Sequence, residues 1–341
     1  MRDFVQALCA PECAGRAPGT PGGAAARALI IAAFRGTGLD PFEQRVPGCG
    51  GANVLAKIPG DLDRWILVGA HHDHLGTSGG EVYSGADDNA AAVAILLEVA
   101  KQLAARRPRG RGVILASFDG EEPPYFLTAA MGSEHFARHP IMPLSQIDLM
   151  ICMDLVGHRL GSAGLPDAVT QSLFALGAER STGTAAQLDA LAAVEPGVIL
   201  RRLDAEVVPP LSDYDPFFRR GIPFLFLSAG RSRRYHTPQD TPEGLDWQKM
   251  AATARWLERY VRNSCELPAS PRFQAGVRDD AATLRSILAL TRELAPYSPQ
   301  AQAARSMAEG LLRNCDRTGR LPDALQPHVA ALLLGLEQGL A

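Results

Sequence analysis

The 341-residue sequence has no run approaching 18 consecutive apolar residues and no charged leader followed by an apolar core. These absences argue against a hydropathic membrane span and a secretory signal, so a soluble, cytoplasmic protein without membrane partners is expected. It also lacks a basic face. Lys and Arg number 34 against 37 Asp and Glu, a formal charge of -3, where a nucleic-acid partner would require clustered positive charge. The one basic knot, 106–111, falls between a helical pattern and a strand and reads as a solvated turn. Six cysteines (Cys9, Cys13, Cys49, Cys152, Cys265 and Cys315) form no Cys-x-x-Cys pair and no regular framework, which excludes a small disulfide scaffold. No low-complexity tract or repeat period is present, which excludes a solenoid.

What is there is an alternation of short apolar runs and helical patterns. Strands are expected at 42–46, 53–58, 65–70, 112–119, 147–154, 198–203 and 222–228. Helices are expected at 24–35, 89–105, 168–177, 213–220 and 247–263. This alternation predicts an α/β fold with a mostly parallel central sheet covered on both faces, in three layers. The segment LPASPRFQAG then reads as a linker, followed by helical patterns at 279–294, 299–314 and 322–340 separated by Pro and Gly. The expected division is a catalytic domain over 1–265 and a helical C-terminal extension over 266–341, which offers a surface for packing on the main domain or for oligomerisation.

The stretch 65–89, WILVGAHHDHLGTSGGEVYSGADDN, concentrates the polar chemistry. An apolar strand delivers His71, His72, Asp73 and His74, and a Gly-rich loop delivers Asp87 and Asp88. Further on come Glu121 and Glu122 in DGEE, Asp154 in MDLVGH and His236 in YHTPQDT. A lone Asp or His at a strand end is usually a satisfied structural group. Five such residues, His71, Asp87, Glu122, Asp154 and His236, all at or just beyond apolar runs, instead fit the imidazole and carboxylate set of a two-metal hydrolase. Alternation along a strand turns His72 away from His71, so it is expected to be structural; His74 either lines the cleft or bonds within its loop. Asp88 and Asn89 have the side chains of a helix N-cap and are expected to serve as one.

The blocks AGRAPGTPG, GAHHDHLG, GADDNAAAVAILLE, FDGEE, MGSEHF, MDLVGH, SDYDPFFRRGIPFLF and YHTPQDT together resemble the co-catalytic zinc aminopeptidase family, of which glutaminyl cyclases are diverged relatives. The resemblance runs from about residue 8 to about residue 261 and leaves out the tail. It implies an aminopeptidase-like fold and removal of the N-terminal residue from a peptide with a free N-terminus, by water held between two Zn ions, with Mn or Co as alternatives. Carried over to this sequence, it makes Asp87 the bridging carboxylate, with His71 and Asp154 completing one metal site and Glu122 and His236 the other. Glu121 matches the general base and Asp73 the aspartate that orients the His71 imidazole. Ser212, Asp213 and Tyr214 match a block near the substrate end of the cleft, with Tyr214 facing the substrate.

The sequence departs from this pattern after the Glu pair, where EEPPYFLTAAMGS carries about five more residues than relatives do before Gly-Ser. This inserted loop is expected to reshape the pocket for the substrate's N-terminal side chain. Glutaminyl cyclases expand the same loop and work with one zinc, so a cyclotransferase is the alternative reading. A non-catalytic interaction platform is a third, and it would be expected to have lost a ligand or the base.

Overall fold

The computed structural model describes residues 1–340. Ten strands occur in chain order: β1 (Phe42–Val46), β2 (Gly51–Ile58), β3 (Leu62–His71), β4 (Thr77–Ser78), β5 (Glu81–Val82), β6 (Arg111–Phe118), β7 (Ile147–Met153), β8 (Ser172–Leu176), β9 (Ile199–Leu203) and β10 (Phe224–Ser228). Eight of them form one sheet in the order β1-β2-β6-β3-β7-β10-β8-β9, while β4 and β5 make a small hairpin. The four central strands β6, β3, β7 and β10 are mutually parallel. Antiparallel pairing is found at β1-β2, β2-β6 and β10-β8.

These central strands are buried on both faces, which is why their sequences are near-continuous apolar runs. Side-chain alternation divides each run between two cores. Ile66, Val68, Val113, Leu115, Leu149 and Ile151 face the helices Pro21–Gly36, Ala91–Ala105 and Trp247–Glu266. Leu67, Ile114, Phe118, Met150 and Cys152 face the opposite layer. Part of that second layer comes from the C-terminal helices Asp280–Leu294, Pro299–Leu312 and Gln326–Leu340, whose Leu284, Ile287, Leu311 and Leu332 join Phe136, Phe217 and Phe224. The tail therefore covers part of one face of the sheet.

The helix expected at 168–177 is a correction. The chain makes one helical turn, Asp167–Thr170, and then β8, which pairs with both β10 and β9. Its apolar residues are compatible with either period, and the sheet edge beside β10 decides for the strand. No helix among the described residues is long and apolar enough to cross a membrane.

Candidate metal centre

In a parallel sheet the carboxyl ends of the strands share one edge, and ligand sites form there. Here β6, β3, β7 and β10 are consecutive, so the segments leaving their carboxyl ends converge. His71 ends β3 and stands in register with Phe118 of β6. Glu121 and Glu122 come just after β6, Asp154 just after β7, and His236 lies in the loop after β10.

The segment between β3 and the helix Ala91–Ala105 brings in the acid at the centre. Gly85 has a left-handed φ of 55°, the peptide Asp88–Asn89 is cis, and a single wide helical turn spans Ala86–Ala90. The turn separates the two adjacent aspartates. Asp87 points away from the cleft: its Oδ1 accepts from the Gly157 amide at 2.8 Å and its Oδ2 from the His158 ring at 2.7 Å. Asp88 points into it. Its Oδ1 is 3.4 Å from His71 Nε2, and its Oδ2 is 3.2 Å from His236 Nε2. The carboxylate set between His71 and His236, the place expected of Asp87, is that of Asp88, because Asp87 has both oxygens engaged elsewhere.

Neither Asp88 nor Asn89 caps the following helix, whose first residues receive no side-chain bond. The Asn89 amide donates to Met153 O at 2.9 Å. The amides of Asp87 and Asp88 are instead held by Asp240, at 2.9 and 3.0 Å. Asp240 escaped the sequence reading, although it lies in the YHTPQDT block.

Two ligand groups result. His71, Asp88 and Asp154 form one, and His74, Asp88 and Glu122 form the other, with His236 Nε2 3.1 Å from Glu122 Oε2. His71 Nε2 lies 3.5 Å from Asp154 Oδ1. Ligand atoms about 2.0–2.1 Å from a tetrahedral zinc stand about 3.3–3.4 Å apart, so these spacings suit a cation between the groups. His71 Nε2 and Asp154 Oδ1 are buried without a hydrogen-bond partner, a costly condition that a cation relieves. Nitrogen and oxygen donors of this kind suit zinc, with manganese and cobalt next.

The surroundings fix these groups. Asp73 accepts from the amides of Glu121 at 3.1 Å and Glu122 at 3.0 Å, and its Oδ1 is 3.7 Å from His71 Nδ1. Its carboxylate thus holds the Glu pair, while its backbone carbonyl, 3.2 Å from His71 Nδ1, is the nearer partner of the imidazole. His72 faces the other way and bonds Ser117 Oγ at 3.1 Å. His74 lines the cleft, its Nδ1 2.7 Å from Glu122 Oε1. Arg16, fully buried, donates to the carbonyls of His72 at 2.7 Å and Gly85 at 2.8 Å, tying the two loops together. It lies in the AGRAPGTPG block, and its role could be read only once these loops were in place.

Glu121 reaches toward His71 Nε2, 3.7 Å away. Burial pushes its carboxyl well above the usual range against the pull of His71, and Asp154 and Glu122 add to the rise. Burial lowers the imidazolium of His236, but hydrogen bonds to Asp88 and Glu122 reverse this and push it up to about 10. Around His71 burial is likewise outweighed, by Glu121 and Asp154, and its pKa lies well above ordinary.

Tyr214 corrects another expectation. Its ring is buried against Phe224 at 4.8 Å and its hydroxyl accepts from the Leu211 amide at 3.3 Å, so it is core rather than cleft. The aromatic ring at the site is Tyr235, stacked on His236 at 3.8 Å. The neighbouring Asp213 is buried with both oxygens unpartnered, and burial pushes its carboxyl up to about 7. The inserted loop leaves from Glu122, whose carbonyl accepts from the Tyr125 amide at 2.9 Å. It exposes Pro123, Pro124 and Leu127.

The sequence matches the model of peptidase family M28 over residues 53–261, more than half of the chain. The chain belongs to peptidase family M28. The Escherichia coli K12 protein YfbL is 29% identical over 254 residues, which span 68% of this chain and 77% of that one. The glutaminyl cyclase of Porphyromonas gingivalis shares the fold with a TM-score of 0.62 at 22% identity, covering 77% of this chain and 96% of that one. The LapA aminopeptidase of Legionella pneumophila does so with a TM-score of 0.64 at 16% identity, covering 78% and 73%. The M28 match ends before the C-terminal helices begin.

Proposed function

We propose that this M28 chain is a two-zinc aminopeptidase that hydrolyses the N-terminal residue from peptides. The observation that carries the reading is Asp88, with one oxygen toward His71 and the other toward His236. His71, Asp88 and Asp154 would hold one zinc, and Asp88, Glu122 and His236 the other, with His74 fixing the Glu122 carboxylate. Bound zinc would supply Lewis acidity, acidifying the attacking water and polarising the scissile carbonyl.

The chain's own part is proton transfer and orientation. Glu121 stands free of the ligand groups, with its amide fixed by Asp73. Its carboxylate takes a proton from the water as the O–C bond forms. It then gives that proton to the leaving amine as the C–N bond breaks, which restores the carboxylate.

Glu121→Gln should keep both zinc ions and lose several orders of magnitude in kcat on aminoacyl-4-nitroanilides. Near-normal turnover in that variant contradicts the assignment. The inserted loop and the likeness to the P. gingivalis cyclase favour one second reading, a glutaminyl cyclotransferase. It would be recognised by one zinc per chain and by ammonia release from peptides beginning with glutamine.

A further inference from the structure

The loop that carries Tyr235 and His236 is gripped from outside the family-matched region. His236 has a positive φ of 56° and a partly exposed side chain. Its inner partners are Asp88 and Glu122, and its outer partner is the Tyr235 ring, stacked nearly parallel at 18°. The Arg231 guanidinium lies 6.0 Å from the centre of the Tyr235 ring. That guanidinium makes a two-pronged ion pair with Glu337 on the helix Gln326–Leu340, Nε to Oε1 at 2.7 Å and a terminal nitrogen to Oε2 at 2.6 Å. Three residues further on, Leu340 is buried in one cluster with Leu160, in the loop that follows Asp154, and with Val169 of the helical turn Asp167–Thr170. The same helix thus packs against the segment that follows Asp154 and pairs with the loop that carries His236.

We propose that the helix Gln326–Leu340 is a clamp on the candidate metal centre, with Glu337 and Arg231 as positioning residues that hold the Tyr235–His236 corner against Asp88 and Glu122. Two-pronged Arg–carboxylate pairs fix orientation as well as distance. An Arg held beside the aromatic face restrains the ring that in turn restrains the imidazole. The clamp gives the C-terminal helices a role in the site that no motif in the tail discloses.

The inference rests on His236 being a ligand, so the test has one readout that does not. In the full chain, Glu337→Gln and Arg231→Gln should speed amide hydrogen exchange across residues 229–237 several-fold, without changing exchange in β3 or β7. They should also weaken the less tightly held zinc by about threefold to tenfold in a chelator titration, below the 10- to 100-fold typical of groups bonded directly to a ligand. The reversed pair, Arg231→Glu with Glu337→Arg, should restore both. Exchange in 229–237 equal to the parent's in both single variants overturns the clamp, as does a reversed pair that restores nothing. If the parent chain takes up no zinc, the functional reading fails while the exchange data still decide the clamp.

Discussion

A buried acid away from the metal centre gives a prediction whose size can be worked out. Glu179 lies just after β8 and is 8% exposed. Burial, reinforced by the Asp204 carboxylate, pushes its carboxyl up to about 8 from 4.5, although the Ala205 amide donates to its Oε1 at 3.0 Å. The folded protein therefore binds this proton more tightly than the unfolded chain does. The associated stability is fully present below about pH 4.5 and is lost as the pH rises through about 8. At about 1.4 kcal/mol for each tenfold change in proton affinity, the loss is on the order of 5 kcal/mol above that range. Glu179→Gln keeps an oxygen for the Ala205 amide and cannot ionise. The variant should melt close to the parent at pH 5 and above it at pH 9. About 4 kcal/mol of that loss falls between pH 5 and 9, so with an unfolding entropy of roughly 0.7 kcal/mol/K for a chain of this length the difference in Tm should grow by roughly 6 °C between those values. Melting curves recorded across this range that keep a constant offset would refute the reasoning.

Two other substitutions probe the surroundings of the centre and the second core. A Cβ on Gly85 would overlap the Asp88 carbonyl and the His74 ring, at a φ of +55°, so Gly85→Ala should displace Asp88 and lower zinc content by at least one ion per chain, measured by elemental analysis. Ile287 is fully buried against the sheet face, so Ile287→Ala should destabilise the whole chain by about 2–5 kcal/mol in urea unfolding. A change confined to a separate late transition would instead mean that the tail folds independently.

The parts of this structure that were legible in the sequence are those governed by burial. Runs such as ILVGA and GVILASF are continuous because both faces of their strands are covered, and their ends mark where His71 and the Glu pair emerge. Choosing between Asp87 and Asp88 was not possible on those grounds. Adjacent residues in a regular element diverge predictably, but here a left-handed glycine and an irregular turn set their directions. Only the positions of His158 and Gly157, some 70 residues away, show which carboxylate is already occupied. Tyr214 and Tyr235 differ in the same way, since either could face a cleft until the packing of Phe224 and His236 is known. The tail's amphipathic helices could be read from their spacing; that their apolar faces complete the sheet's second layer is a matter of tertiary contact, which periodicity does not encode.

The central claim is that Asp88 serves both metals while Asp87 serves neither directly. Zinc bound per chain, measured after dialysis against trace zinc, tests it in two variants that each remove one carboxylate charge with little change in shape. Asp88→Asn should leave fewer than one ion per chain and no detectable peptidase activity, whereas Asp87→Asn should retain close to two. Two ions retained by Asp88→Asn, with their loss in Asp87→Asn, would contradict the account.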